Sequence, residues 1–328
     1  MRDVAAAAGV STALVSIVFR GVPGASDRTR QRVQAVAKQL GYTPNRTASL
    51  MKRTRTRHLG VAMHVRNAFH GEVVEGIQAI ADEAGYELVL AGITSAHPEK
   101  RAVETLLEFR CESLLLVGSD MSESELAHIG ARVPAVVIGR RLKVPNVDVV
   151  RSADRRGMAA IVDHLVELGH RWIAHVDGGG HPIARERSAG YRAAMRRHGL
   201  EALVVPGGSS EGDGRLAGEE LLGREELPTA VCSYNDHCAL GLLDVITKAQ
   251  VSVPGDCSVT GYDNSSFAGL AAFDLTSVSQ EARPMAEAAV RTAIARIEDP
   301  TSERVEIVLA PRLVVRGSTA PVRDRITA

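Results

Sequence analysis

The chain has 328 residues with 39 basic and 39 acidic side chains, 45% hydrophobic and 3% aromatic. Its length exceeds one comfortable core, and its neutrality excludes a uniformly basic or uniformly acidic protein. No apolar run approaches the ~18 residues of a membrane span, and Cys111, Cys232, Cys238 and Cys257 show neither CxxC spacing nor paired placement, so a membrane helix and a disulfide scaffold are both excluded.

The charge is unevenly placed. Within residues 1–57, eleven Lys or Arg stand against Asp3 and Asp27, a balance of plus nine, while the other 271 residues carry 28 basic against 37 acidic side chains, or minus nine. A cationic cluster gathers at polyanions because each phosphate it neutralises releases a counterion, so nucleic acid is the first partner to expect. Val4, Ala5 and Ala8 share one helical face, and Gly9 breaks the run where a tight turn needs a residue tolerant of positive φ. Ser11 is placed to cap a second helix whose apolar residues are Leu14, Val15, Val18 and Phe19. The loop from Gly21 to Ala25 ends that helix with two Gly and a Pro. Ser26 or Asp27 then caps a third, with Val33, Val36, Ala37 and Leu40 on one face and Gly41 closing it. A short helix, a Gly-containing turn and a second short helix make a helix-turn-helix, whose second helix can lie in a major groove. Three helices in roughly fifty residues form a marginal core, which association with DNA or a partner subunit is expected to steady.

Between Asn45 and Arg57, Ala48, Leu50 and Met51 favour helix and Lys52, Arg53, Arg55 and Arg57 add charge; a solvated basic linker is the alternative reading. From Leu59 the pattern changes. Short apolar runs recur at Leu59 to Met63, Leu88 to Ala91, Leu114 to Val117, Ala135 to Ile138, Trp172 to Val176, Ala230 to Cys232 and Ser258 to Thr260, most of them separated by helical stretches of 10 to 17 residues. Such alternation predicts parallel sheets flanked by helices, and about 260 residues predict two α/β lobes.

Gly178-Gly179-Gly180 follows the run ending at Val176, where dinucleotide folds place a glycine loop, but the GxGxxG spacing is absent and no P-loop Lys follows. His64, His70, His175, His181 and His237 are scattered without a metal-ligand spacing, and Ser265 and Ser266 lack the GxSxG setting of a nucleophile elbow. Neither catalysis, nor a cofactor, nor a metal is expected.

Through Asp3-Val4-Ala5, Ala8-Gly9-Val10-Ser11, Val15-Ser16, Thr29-Arg30, Val33 and Gly41-Tyr42-Thr43-Pro44-Asn45, the chain resembles the headpiece of the LacI/GalR family of bacterial transcription repressors, and the similarity runs on to Arg316-Gly317-Ser318. The resemblance implies an all-α helix-turn-helix headpiece over 1–44, a hinge over 45–57 and a short tail over 318–328. Over 58–317 it implies an α/β two-lobed, periplasmic-binding-protein-like core of parallel sheets flanked by helices. Its N-lobe would take about 58–150 and 281–309, and its C-lobe about 151–280 and 310–317.

The same resemblance assigns DNA contacts to Ser11, Thr12, Ala13, Ser16, Ile17, Arg28, Thr29, Tyr42, Asn45 and Arg46, with Met51 as a minor-groove wedge where relatives carry Leu. Ser11 and Ser16 suit phosphate oxygens, whereas Thr12 and Ala13 can offer methyl groups to thymine. Ile17 stands where most relatives carry Arg; an aliphatic chain cannot bond guanine O6 and N7, so a different operator is expected unless Ile17 simply packs on the first helix. Relatives also place a hydroxyl cap before the segment beginning Arg2-Asp3-Val4, so the first helix is expected to start uncapped, with the natural start of the chain possible upstream of Met1.

In the core, the resemblance assigns effector contacts to Phe69, Arg187, Asn235, Asp263 and Gln280. A hydrophobic face, a forked donor, a carboxylate and two amides suit a polyhydroxylated ligand, so a saccharide is favoured, with a purine, an organic acid or a phosphorylated sugar left open. Simpler roles are open too: Phe69 as core, Asn235 or Asp236 as helix cap, Arg187 paired at the surface with Glu186 or Glu211, and Trp172 packed before its strand. Gly139-Arg140 replaces the Asp-Arg pair common in relatives. A homodimer on a roughly palindromic double-stranded DNA operator is expected, with ligand closing the lobes and so resetting the hinges. The tail has no heptad seam to build a tetramer. A solute-binding receptor of the same fold without DNA function is the alternative. The charged start running straight into an amphipathic helix, with no signal peptide and no membrane partner, favours a cytoplasmic regulator.

Overall fold

The computed structural model describes residues 1–20, 22–42 and 55–322. The chain forms two compact units, Met1–Thr56 and Arg57–Ala328. Asn45, Arg46 and Met51 lie outside the described residues.

Among the described residues the headpiece holds three helices, α1 (Arg2–Ala8), α2 (Thr12–Arg20) and α3 (Asp27–Gln39). Gly9 ends α1 in the left-handed region at φ 59°, where its N–H reaches Ala6 O and the next N–H reaches Ala5 O; a side chain there would cost about 1–2 kcal/mol. Ser11 Oγ accepts the Leu14 N–H at 3.2 Å, and Ser26 Oγ accepts the Thr29 N–H at 3.4 Å, so both hydroxyls occupy orphan donors at helix starts. Met1 precedes α1 with no side-chain cap. Val4, Ala5, Ala8, Val15, Val18, Val33 and Ala37 form the core. Leu40 departs from the expected apolar face. It is 51% exposed because α3 stops at Gln39 and the chain turns away before a further helical position can form.

The body holds two six-stranded sheets. The first uses β1 (His58–His64), β2 (Glu87–Ile93), β3 (Ser113–Val117), β4 (Ala135–Ile138), β5 (Val147–Ser152) and β11 (Glu306–Leu309), in the order β11-β5-β4-β3-β1-β2, with every pairing parallel. The second uses β6 (Ile173–Val176), β7 (Leu203–Val205), β8 (Ala230–Cys232), β9 (Ser258–Asp263), β10 (Thr276–Ser279) and β12 (Arg312–Val314), in the order β12-β10-β9-β8-β6-β7. Only β12 runs antiparallel to its neighbour. Each of the seven apolar runs lies in a strand, although Trp172 stands just before β6. The strands β5, β7, β10, β11 and β12 had no such signal. They are short, lie at edges, or alternate with polar residues, as in Thr276-Ser277-Val278-Ser279.

Among the described residues eight helices cover the sheets: α4 (Ala68–Glu83), α5 (Glu99–Glu108), α6 (Glu123–Gly130), α7 (Asp154–Glu167), α8 (Ala184–Arg197), α9 (Glu211–Leu222), α10 (Asp236–Lys248) and α11 (Ala282–Glu298). Successive strand residues point to opposite faces. Leu115 and Val117 therefore pack under α4 and α11, and Leu114 and Leu116 under α5 and α6. In the second sheet the pairs are α7 with α8 and α9 with α10. α9 and α10 approach closely because Gly214 and Gly241 face each other's helix; a Cβ on Gly241 would overlap the carbonyl of Glu211.

The chain crosses between sheets after Ser152, at Gln280-Glu281 and at Ala310-Pro311. In the first lobe, buried Arg296 donates to both carboxylate oxygens of Asp148 at 3.0 and 2.8 Å, and Asp148 also accepts the Val305 N–H at 2.8 Å. The four cysteines are buried and form no disulfide among the described residues. Among the described residues no single helix is long and apolar enough to cross a membrane.

Candidate functional site

Two places hold the predicted site residues that the structure describes. In the headpiece, Ser11, Thr12 and Ala13 are exposed at the start of α2, with Ser16 and Ile17 half-buried a turn later. Ile17 lies beside the loop after α2, its Cγ2 3.5 Å from where a Cβ on Gly24 would stand. Arg28 is exposed in the first turn of α3, and the Thr29 hydroxyl bonds Ser26 Oγ at 2.9 Å. The Tyr42 ring is 5.7 Å from that of Phe19, so much of this side chain serves the headpiece core.

In the body, Phe69, Arg187, Asn235, Asp263 and Gln280 all line one cleft of about 810 Å³ between the lobes. Each occupies an element end or an inward helical position. Phe69 is the second residue of α4, 6% exposed, with one side in the first-lobe core. Asn235 caps α10, its Oδ1 accepting the Cys238 N–H at 2.8 Å while its Nδ2 donates to Ser209 O at 3.0 Å. Asp263 ends β9 at φ 108°, and Gln280 follows β10 directly.

Arg187 organises the second-lobe wall. Its Nε donates to Asp154 Oδ1 at 2.9 Å, Nη1 to Tyr234 O at 2.7 Å and Nη2 to Asp263 Oδ1 at 3.4 Å. The guanidinium lies 3.7 Å from the Tyr262 ring centroid and 4.8 Å from that of Tyr234, a desolvated cation between two aromatic faces. Burial works to discharge Arg187, but Asp154 and Asp263 outweigh it and hold the group charged. Two buried carboxylates thus share one cation. Burial pushes Asp263 up to about 7 against the pull of Arg187, and raises Asp154 as well. Gln280 Nε2 donates to Asp263 Oδ1 at 2.6 Å, leaving Oδ2 without a contact of this kind among the described residues.

The alternative roles separate cleanly. Arg187 is not a surface ion pair: Glu186 is taken by Arg155 at 2.8 Å and Glu211 by His237 at 2.7 Å. Asp236 is not the cap of α10. It turns inward and accepts from the Ser265 N–H and hydroxyl and from the Ser277 hydroxyl, tying β9 to β10, with burial raising it to about 6. In the glycine run Gly178-Gly179-Gly180, Gly178 makes room for a side chain, because a Cβ there would overlap the Tyr234 ring.

Sequence reasoning missed the histidines. His64, His70, His181 and His237, scattered along the chain, all face the cleft. His70 is buried and held neutral, pushed down to about 3 mainly by burial. His181 Nδ1 lies 3.2 Å from Asp120 Oδ1, its Nε2 lies 3.0 Å from Ser209 Oγ, and its ring stacks on Tyr234. His237 Nε2 accepts the Ala68 N–H at 3.2 Å. No periodicity could reveal this gathering, since the residues come from a strand end, a loop and two helix starts far apart in sequence. Among the described residues no group of His, Cys, Asp and Glu could hold a metal ion.

Residues 1–45 match the family model for bacterial regulatory proteins of the lacI family, and residues 162–319 match that for the periplasmic binding protein-like domain. The chain is similar to the ribose operon repressor of Escherichia coli, 32% identical over 97% of this chain and 99% of that one. It is similar to the crystal structure of a LacI transcriptional regulator from a Rhodococcus species, 44% identical over 81% of this chain and 99% of that one, with a TM-score of 0.79. Its similarity to the lac repressor dimer bound to operator and the anti-inducer ONPF covers 97% of this chain and 98% of that one at 28% identity, with a TM-score of 0.83. These relatives regulate transcription and are not enzymes. The likeness to the ribose operon repressor and to the lac repressor dimer runs along nearly the whole chain, helix-turn-helix and two-lobed core together: the chain belongs to the LacI family of bacterial regulatory proteins and is a DNA-binding transcriptional regulator.

Proposed function

We propose that this protein is a cytoplasmic, non-enzymatic repressor whose operator affinity is set by a saccharide bound between the lobes. The observation that carries the reading is the cleft itself. Its volume falls in the range of small-molecule sites, and it opposes the apolar face of Phe69 to the polar groups of Arg187, Asp263, Asn235 and Gln280. Asp263 Oδ2 accepts a ligand hydroxyl, the remaining guanidinium hydrogens of Arg187 donate to one, and Phe69 covers an apolar ring face.

On the DNA side, Ser11, Ser16, Arg28, Thr29, Asn45 and Arg46 hold phosphates, Thr12, Ala13 and Ile17 meet base edges, Tyr42 supports the end of α3, and Met51 enters the minor groove. Two subunits bind a roughly palindromic site, a reading supported by the likeness to the operator-bound lac repressor dimer. The N-lobe takes about 58–150 and 281–309 and the C-lobe about 151–280 and 310–317, with β5 carrying the first crossing on to Ser152. Ligand acts through its differential affinity for open and closed lobes.

A thermal-shift screen of the full chain against sugars, polyols, purines and organic acids tests the effector. A sugar should raise the melting temperature, and Asp263→Ala should abolish the rise. A hit indifferent to both Asp263→Ala and Arg187→Met would reject the assignment of the cleft.

A further inference from the structure

The two lobes touch across the mouth of the cleft through side chains far apart in sequence. From the first lobe, Asp120 on the loop after β3 meets His181 of the second lobe, Oδ1 to Nδ1, at 3.2 Å. The Ala68 N–H of the first lobe donates to His237 Nε2 of the second, and the Ser266 N–H of the second donates to Glu72 Oε1 of the first at 2.7 Å. Beside these contacts Gly139 faces Ile183, whose Cδ1 lies 3.4 Å from where a Cβ on Gly139 would stand. Asp120 is braced from behind, its own N–H donating to Glu99 Oε2 at 2.9 Å.

We propose that Asp120 and His181 form a proton-sensitive latch that sets how readily the cleft closes, making the regulator's response to its effector dependent on pH. The proposal rests on the cleft being the effector site. An ionised carboxylate bonded to an imidazolium gains more from contact than one bonded to a neutral ring. Asp120 is faced by His181 and Tyr234 from the second lobe, and by His64 at 3.7 Å, Glu99 and Arg140 from the first. His181 is faced by Asp120, by Asp213 of α9 and by the Tyr234 ring, with Ser209 on its far nitrogen and His70 behind Asp120. The bond to Asp120 raises His181 above its ordinary 6.5. Burial works to raise Asp120, but His181, His64 and Arg140 hold it below its ordinary value. The sign follows. Closure gains from His181 below its ordinary value, and that gain is lost as pH rises through the raised one; the Asp120 share is lost only when the pH falls through its depressed value. The latch is therefore strongest at mildly acid pH. Both side chains are partly exposed, which limits the effect to about two- to fivefold in the closed-to-open ratio.

The test needs no ligand. Nitroxides placed at Glu108→Cys and Arg192→Cys, both exposed and on opposite lobes, report lobe separation by pulsed electron resonance in the full chain, diluted with unlabelled protein. The closed population should fall as pH rises from about 5.5 to 8.5. His181→Gln, which keeps a donor but cannot take up a proton, should flatten the response, as should Asp120→Asn. His181→Arg should hold the closed population at every pH. A pH-independent distribution in the native chain, or an undiminished response in His181→Gln, overturns the latch. Either result leaves the effector reading to stand on the Asp263-dependent thermal shift, while a working latch in a protein that binds no small molecule would sink the effector reading alone.

Discussion

Replacing Arg187 by Met probes the most concentrated electrostatics in the molecule. Arg187 is 2% exposed and bonds Asp154 and Asp263, themselves 4% and 6% exposed. Met fills much of the same volume, so the loss is mainly the cation and its place between Tyr234 and Tyr262. Removing one member of a buried pair costs about 3–5 kcal/mol, because it leaves charge without compensation. Here the carboxylates can relieve part of that cost by taking up protons. With Arg187 present, burial already pushes Asp263 up to about 7; without it, both acids move higher. An acid whose folded value lies above its unfolded value binds more protons when folded, so the stability falls as pH rises between the two values. The variant should therefore lose about 3–5 kcal/mol at pH 8 and distinctly less at pH 5.5, each unit of further shift being worth about 1.4 kcal/mol. Urea unfolding of the body at both pH values, followed by circular dichroism, reads this directly. A loss under about 1 kcal/mol at pH 8, or an equal loss at both, would refute the argument that one cation serves two buried carboxylates.

Gly241→Ala should destabilise the second lobe by at least about 2 kcal/mol, since its methyl meets the Glu211 carbonyl rather than a yielding side chain; unfolding within 0.5 kcal/mol of the native chain would contradict the packing of α9 on α10. Ser26→Ala should cost the headpiece about 0.5–2 kcal/mol by freeing the Thr29 N–H, seen as a lower headpiece melting temperature with the body unchanged. Ile17→Arg should move the selected operator toward guanine at one position of each half-site, with about 1–3 kcal/mol of new discrimination, and operator selection from random DNA checks it. Native protein that already prefers guanine there would show that Ile17 does not read that base.

The headpiece was legible because its signals are local. Gly9 has the left-handed backbone its position called for, and Ser11 and Ser26 bond the amides three residues on. Leu40 failed by one position, since periodicity does not say where a helix stops. The buried strands β1, β3 and β4 announced themselves as apolar runs, whereas β10 and β12 exist only because β9 and the second lobe supply partners for sequences that are half polar. Within the cleft, Asn235 and Asp236 show the limit most plainly. Both are good caps by residue type, and only the position of Ser265 and Ser277 decides that Asp236 turns inward.

The chain by itself determined what depends on near neighbours: the charge divide between head and body, the helix-turn-helix, the alternation that builds two sheets, and the family pattern that brings Phe69, Arg187, Asn235, Asp263 and Gln280 into consideration. Tertiary structure alone decided how those groups are shared. Arg187 and Asp154 are 33 residues apart, Arg187 and Asp263 76, and Asp120 and His181 61, so their partnerships depend on where two sheets place the ends of their strands. Burial and the partners it brings together then set their charge, because the balance between the cost of leaving water and the pull of a neighbouring charge depends on what surrounds a group in space, and that balance has no signature in residue order.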